Sequence, residues 1–105
     1  MKFAICQELF EGWEWERQCE LIAEIGYTGI EAAPFTLAST IYELSADRRV
    51  ELREQARAHG LEIIGLHWLL AKTEGLYLTS PETAVREATR DYVVALGEAL
   101  SLIHI

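Results

Sequence analysis

The stretch GYTGIEAAPF, residues 26–35, decides how this chain folds. Its first residue, Gly26, follows a segment in which Trp15, Cys19, Ile22 and Ala23 fall at i, i+4, i+7 and i+8, one face of a helix. Glycine takes the left-handed conformation that ends a helix without steric cost, so Gly26 reads as the stop. YTGIEAAPF then reads as a short strand, closed by Pro34, which has no N–H to give to a central ladder. A helix that stops where a strand begins is the punctuation of an α/β protein.

The same punctuation recurs on both sides. Upstream, KFAICQEL (residues 2–9) is a short apolar run of strand character, and Gly12 with two tryptophans leads into the first helix. Downstream, after a loop, Ser45 is placed as an N-cap, with Asp47 near the positive end of the helix dipole. ADRRVELREQARAH (residues 46–59) is mostly charged, with a narrow apolar seam at Leu52 and Ala56; it reads as an outer helix facing solvent, stopped by Gly60. LEIIGLHWLL (residues 61–70) is the third and most apolar strand, a pattern expected of burial on both faces. A loop containing Gly75 leads to Ser80-Pro81, a cap followed by proline at the first helical position. The helix beyond it carries a seam of Val85, Ala88, Tyr92, Leu96 and Leu100.

The order is β-α-β-α-β-α, with strands starting near residues 2, 28 and 61. Such alternation implies right-handed crossovers and a parallel sheet. Three parallel strands would leave two long apolar edges, which natural sheets avoid. The expected fold is α/β, an incomplete TIM barrel consisting of its first three β/α units, with residues 1–105 as the N-terminal part of that barrel. The closing residues SLIHI (101–105) bring no glycine stop; they read either as the start of another strand or as the tail of a truncated frame, and we expect truncation.

Composition narrows the function. With 105 residues the chain has room for one domain, and half its residues are hydrophobic. The net charge of −8 argues against nucleic acid and anionic membranes, both of which need clustered Lys and Arg. Cys6 and Cys19 have no CxxC spacing and read as two buried, reduced thiols. The N-terminus lacks the pattern of a signal peptide, and no segment has the roughly 20 apolar residues of a membrane span. A cytoplasmic protein handling a small ligand is the expectation.

Period-2 alternation sorts the strand residues into two faces. Ala4, Cys6 and Glu8 share one side of the first strand, Gly29, Glu31 and Ala33 one side of the second, and Ile63, Gly65 and His67 one side of the third. These sides carry small residues and then a single polar residue at the C-terminal end, whereas the opposite sides are mostly bulky or apolar. In a barrel the small side suits the interior, so Glu8, Glu31 and His67 would point inward at the C-terminal mouth, where barrel enzymes place their active sites. Each also has a plainer reading: Glu8 as a solvated residue at a loop start, Glu31 as a buried paired carboxylate, His67 as a satisfied core imidazole. Trp13, Trp15 and Trp68 would ordinarily pack, although an apolar sugar face favours aromatic rings. His59 and His104 read as structural or incidental. HxxxH, GxSxG and a glycine-rich phosphate loop are absent from the sequence. Two carboxylates and an imidazole suit part of a divalent-metal or acid/base site.

KFAICQELFEGWEWE, IAEIGYTGIEAAPFTL and GLEIIGLHWLLAKTEGLYLTSPE together resemble the N-terminal third of the sugar phosphate isomerase/epimerase group, the xylose isomerase-like TIM barrels. The resemblance implies a metal-dependent enzyme (Mn, Mg or Co) that moves a proton between adjacent carbons of a sugar or sugar phosphate. In that group the metal is held by Glu, Asp and His of later strands, so no metal ligand and no catalytic base carries over to this segment, which would bind no metal and be inactive alone. Glu31 and His67, with Trp68 beside them and Glu8 as a weaker match, fall at positions that would line the substrate site. The resemblance is also compatible with a homo-oligomeric parent enzyme. Two other readings stay open. One is an apurinic-site phosphodiesterase on the same barrel, which the acidic charge disfavours. The other is a small non-catalytic α/β module that pairs its strand edges between chains.

Overall fold

The computed structural model describes residues 1–104. Six main elements follow in the order β1 (Ala4–Cys6), α1 (Trp15–Ile25), β2 (Gly29–Ala32), α2 (Ala46–Ala58), β3 (Glu62–Leu66) and α3 (Thr83–His104). The three strands form one parallel sheet in the order β1-β2-β3. One side of the sheet is covered by the helices. There Ile30, Ala32 and Ile63 meet Cys19 and Ile22 of α1, Leu52 and Ala56 of α2, and Tyr92, Leu96, Ala99 and Ile103 of α3 in a single buried cluster. The other side is open, and Ile64 lies about half exposed there at 51%.

Local signals explain the helix boundaries. Gly26 closes α1 at φ 110°, a backbone setting that side-chain-bearing residues rarely adopt. Ser45 Oγ accepts the N–H of Arg48 at 3.1 Å and caps α2. The second glycine of GYTGIE serves packing instead. A Cβ at Gly29 would stand 3.0 Å from Ala4 Cβ and 3.1 Å from Ile64 Cγ2, so only hydrogen lets β1, β2 and β3 close up on the open face.

Several expectations need correction. β1 covers residues 4–6 rather than 2–9, because the chain turns at Gln7 into a 3-10 segment, Gln7–Phe10. β3 ends at Leu66 rather than Leu70, and its burial is one-sided in this chain. Helix α3 starts at Thr83. Ser80 Oγ accepts from Glu82 N–H only two residues on, a local turn that holds Pro81 outside the helix. The buried seam of α3 runs through Thr89 rather than Ala88, and the Thr89 hydroxyl donates to Val85 O and accepts from Tyr77 N–H. Residues 101–104 continue α3, so they do not start a strand; Ile105 and the side chain of His104 lie outside the described residues.

A bulge also changes the parity of β3. Ile30 pairs with Ile63, but the next residue, Glu31, pairs with Gly65, so Ile64 is the extra residue. Ile63 therefore faces the helices and is 2% exposed, while Ile64 reaches the open face near Gly29. The face expected for Ile63 is thus reversed, whereas Gly65, opposite Glu31, returns His67 to the side foreseen for it.

Cys19 is wholly buried, and burial with the nearby Glu16 carboxylate pushes its thiol up to about 12. A higher thiol pKa means less thiolate at a given pH. Iodoacetamide at pH 8 is expected to modify Cys19 about 10³-fold more slowly in the native chain than in urea, by mass spectrometry. Equal rates in the two states would show that α1 does not pack as described.

Candidate functional site

The C-terminal ends of the strands bring four polar side chains together. Cys6 is the last residue of β1, and its partner across the ladder is Glu31. Cys6 Sγ donates to Glu31 Oε2 at 3.5 Å. His67 follows β3, and its N–H donates to Ala32 O at 3.0 Å, which extends the sheet contact by one residue. One donor atom each from Cys6, Glu31 and His67 lie within 4.8 Å of one another. Glu8 joins from the 3-10 turn after β1, with Oε2 2.5 Å from His67 Nε2. An ionised carboxylate only accepts, so in this contact His67 Nε2–H donates to Glu8. The ring's Nδ1 is shielded from solvent and has no hydrogen-bond partner among the described residues.

The convergence foreseen for Glu8, Glu31 and His67 is present, but Glu8 arrives by a different route. It is not a strand residue; the turn at Gln7 swings it over the end of β1. That turn is held by a side chain with no apparent role in the sequence. Gln7 is wholly buried, its Oε1 accepts from Ala33 N–H at 3.1 Å and from Thr36 Oγ1 at 2.8 Å, and its Nε2 donates to Gln18 Oε1 at 3.0 Å. Gln18 in turn donates to Trp13 O. The amide of Gln7 thus joins the end of β1, the loop after β2 and helix α1.

Cys6 also departs from expectation. It is only partly buried rather than an inert core thiol, and both cysteines are free. Partial burial, the hydrogen bond to Glu31 and the neighbouring Glu8 and Glu31 charges all push its thiol pKa up. The signal for it was its place between Ala4 and Glu8 on the inward face.

The rim is aromatic. Trp68, 63% exposed, stands edge-on to Phe35 with ring centroids 5.9 Å apart, and Lys72 Nζ lies 4.7 Å from the Phe35 ring. Lys72 also pairs with Glu11 at 2.8 Å. Trp68 holds φ 57° and Lys72 φ 58°, the left-handed region that non-glycine residues seldom enter. Trp15, by contrast, is a core residue whose Nε1–H donates to Leu52 O at 2.9 Å. His59 lies on the outer side, 4.0 Å from Glu16. A cleft of about 580 Å³ lies between the loops after β2 and β3 and α3, lined by Thr40, Tyr42, Thr73, Asp91 and Tyr92 among others, with Lys72 of the rim on its edge.

Polar ends on one side of a parallel sheet, under helices on the other, are the arrangement of a barrel mouth. A family model described as the xylose isomerase-like TIM barrel matches residues 19–102. The chain belongs to that family. Among solved structures, a D-psicose 3-epimerase determined in the presence of D-fructose superposes with a TM-score of 0.76 at 20% identity. The match covers 98% of this chain and 34% of the epimerase, so the chain spans about a third of that protein's length. At this identity the likeness concerns the fold: a partial barrel with a three-stranded parallel sheet. No curated protein matches the chain in sequence. Among the described residues, no helix is long and apolar enough to cross a membrane.

Proposed function

We propose that this chain is the N-terminal segment of a metal-dependent sugar or sugar phosphate isomerase/epimerase and forms one wall of its substrate site. The observation that carries the reading is the meeting of Glu8, Glu31 and His67 at the C-terminal ends of three consecutive parallel strands. Glu31 and the Glu8–His67 pair supply hydrogen-bonding groups suited to sugar hydroxyls, and Trp68 supplies an apolar face. Glu8 holds the imidazole in one orientation, so that its hydrogen-bonding direction is set before substrate arrives.

The reaction in this reading is proton transfer between carbons next to a carbonyl. A divalent metal would stabilise the enediolate that such a transfer creates. The base and the catalytic metal belong to strands beyond this segment, and the segment alone is inactive. A reduced cytoplasmic setting suits its two free cysteines.

The test uses a barrel-length protein that contains this segment. Glu31→Ala and His67→Ala are each expected to lower kcat/KM for epimerisation of a small ketose panel that includes D-fructose, by about 10²-fold. Unchanged kinetics in both variants would remove the site assignment. Activity on abasic DNA in place of ketoses would favour a phosphodiesterase instead.

A further inference from the structure

The Cys6–Glu31–His67 cluster includes two donor atoms, the Cys6 thiol and His67 Nδ1, that the sugar reading does not use. We propose that Cys6 Sγ, a Glu31 carboxylate oxygen and His67 Nδ1 form a three-donor site for a borderline-soft divalent cation, Zn²⁺ or Co²⁺. This goes beyond the sugar reading and does not rest on it.

Three observations carry the proposal. The first is spacing. Cys6 Sγ and Glu31 Oε2 are 3.5 Å apart. Two ligands on a tetrahedral ion with bonds of about 2.3 Å to sulfur and about 2.0 Å to oxygen stand roughly 3.5 Å apart, so this edge needs no movement. A nitrogen of the His67 ring and one donor atom each from Cys6 and Glu31 lie within 4.8 Å of one another, and Cys6 and Glu31 are partners across the ladder.

The second is the imidazole. Its Nε2 is committed to Glu8, while Nδ1 is shielded and unpartnered among the described residues. With the proton on Nε2, Nδ1 carries the lone pair. A carboxylate that accepts from one ring nitrogen while the other ligates a metal is the usual arrangement around zinc-bound histidine. Glu8 thus acts as a positioning residue for the ligand.

The third is donor chemistry. One sulfur, one nitrogen and one oxygen suit Zn²⁺ and Co²⁺ far better than Mg²⁺ or Ca²⁺, which prefer oxygen alone. Three protein ligands leave a coordination position open, the pattern of a reactive rather than a structural zinc. Binding converts the Cys6 thiol to thiolate and releases its proton.

The experiment is a Co²⁺ titration of the 105-residue chain carrying Cys19→Ser, which leaves Cys6 as the sole thiol, with circular dichroism recorded on the same samples. A sulfur-to-cobalt charge-transfer band is expected to saturate at one ion per chain and to be displaced by Zn²⁺. Cys6→Ser is expected to abolish the band. Glu31→Gln and His67→Gln are each expected to weaken binding by at least about 10-fold, and Glu8→Gln by about 10–100-fold. The absence of a saturable band, whatever the state of folding, would overturn the proposal. So would a band that persists in urea, or one that ignores both Glu31→Gln and His67→Gln, since each marks a lone thiol rather than a built site. The readout is metal binding, so loss of ketose turnover in the longer protein would not affect it.

Discussion

Gln7→Met is expected to destabilise the chain by about 2–6 kcal/mol, although it replaces one unbranched side chain by another of similar length. The amide of Gln7 joins three elements from a wholly buried position. A thioether can neither donate to Gln18 Oε1 nor accept well from Ala33 N–H. Thr36 Oγ1 keeps its bond to Ala33 O, and Gln18 keeps its bond to Trp13 O. Two buried groups are left without a partner, each costing about 1–3 kcal/mol. With a urea dependence of about 2 kcal/mol per molar, the unfolding midpoint should fall by roughly 1–3 M. The site should suffer as well, because this amide fixes the turn that brings Glu8 to His67. A Gln7→Met chain that unfolds within half a molar of the parent would show that the network is not what closes the end of β1.

Trp15→Ala is the second large effect, expected to cost about 3–5 kcal/mol through the cavity left in the core. Trp15 is 4% exposed at the first turn of α1, and its indole N–H reaches Leu52 O in α2. It therefore joins two outer helices as well as filling space above β2. Trp15→Phe separates the two roles. It keeps most of the apolar ring and loses only the hydrogen bond, so its cost should be nearer ~1 kcal/mol. The loss is small because it leaves a helical carbonyl, which still has a backbone donor available. Thermal or urea unfolding of both variants checks the order. Equal losses would mean that the hydrogen bond rather than the ring holds α1 to α2.

The two substitutions differ in how visible their residues are in the sequence. Trp15 shares a helical stripe with Cys19 and Ile22, and that spacing marks it as core. Gln7 sits inside an apolar run, where a lone amide carries no periodic signal. Glu31 and His67 stood out because a polar residue ended each small, inward face. Glu8 reached the same mouth although the strand meant to carry it ends at Cys6. Trp68 was legible as an aromatic neighbour of His67, but its left-handed backbone was not, since that setting ordinarily calls for glycine.

By itself the sequence determined the order of elements, the helix caps at Ser45 and Gly26, and the parallel arrangement of three β/α units. These depend on residues near one another in the chain, through side-chain periodicity, local hydrogen bonds and backbone freedom. Only the tertiary structure decided the register of β3, where an extra residue turns Ile63 to the core and Ile64 to the open face. It also decided that Cys6 meets Glu31 and that Glu8 meets His67, contacts spanning 25 and 59 residues. Such contacts depend on how strands line up across the sheet, and a register is a property of the pair rather than of either strand.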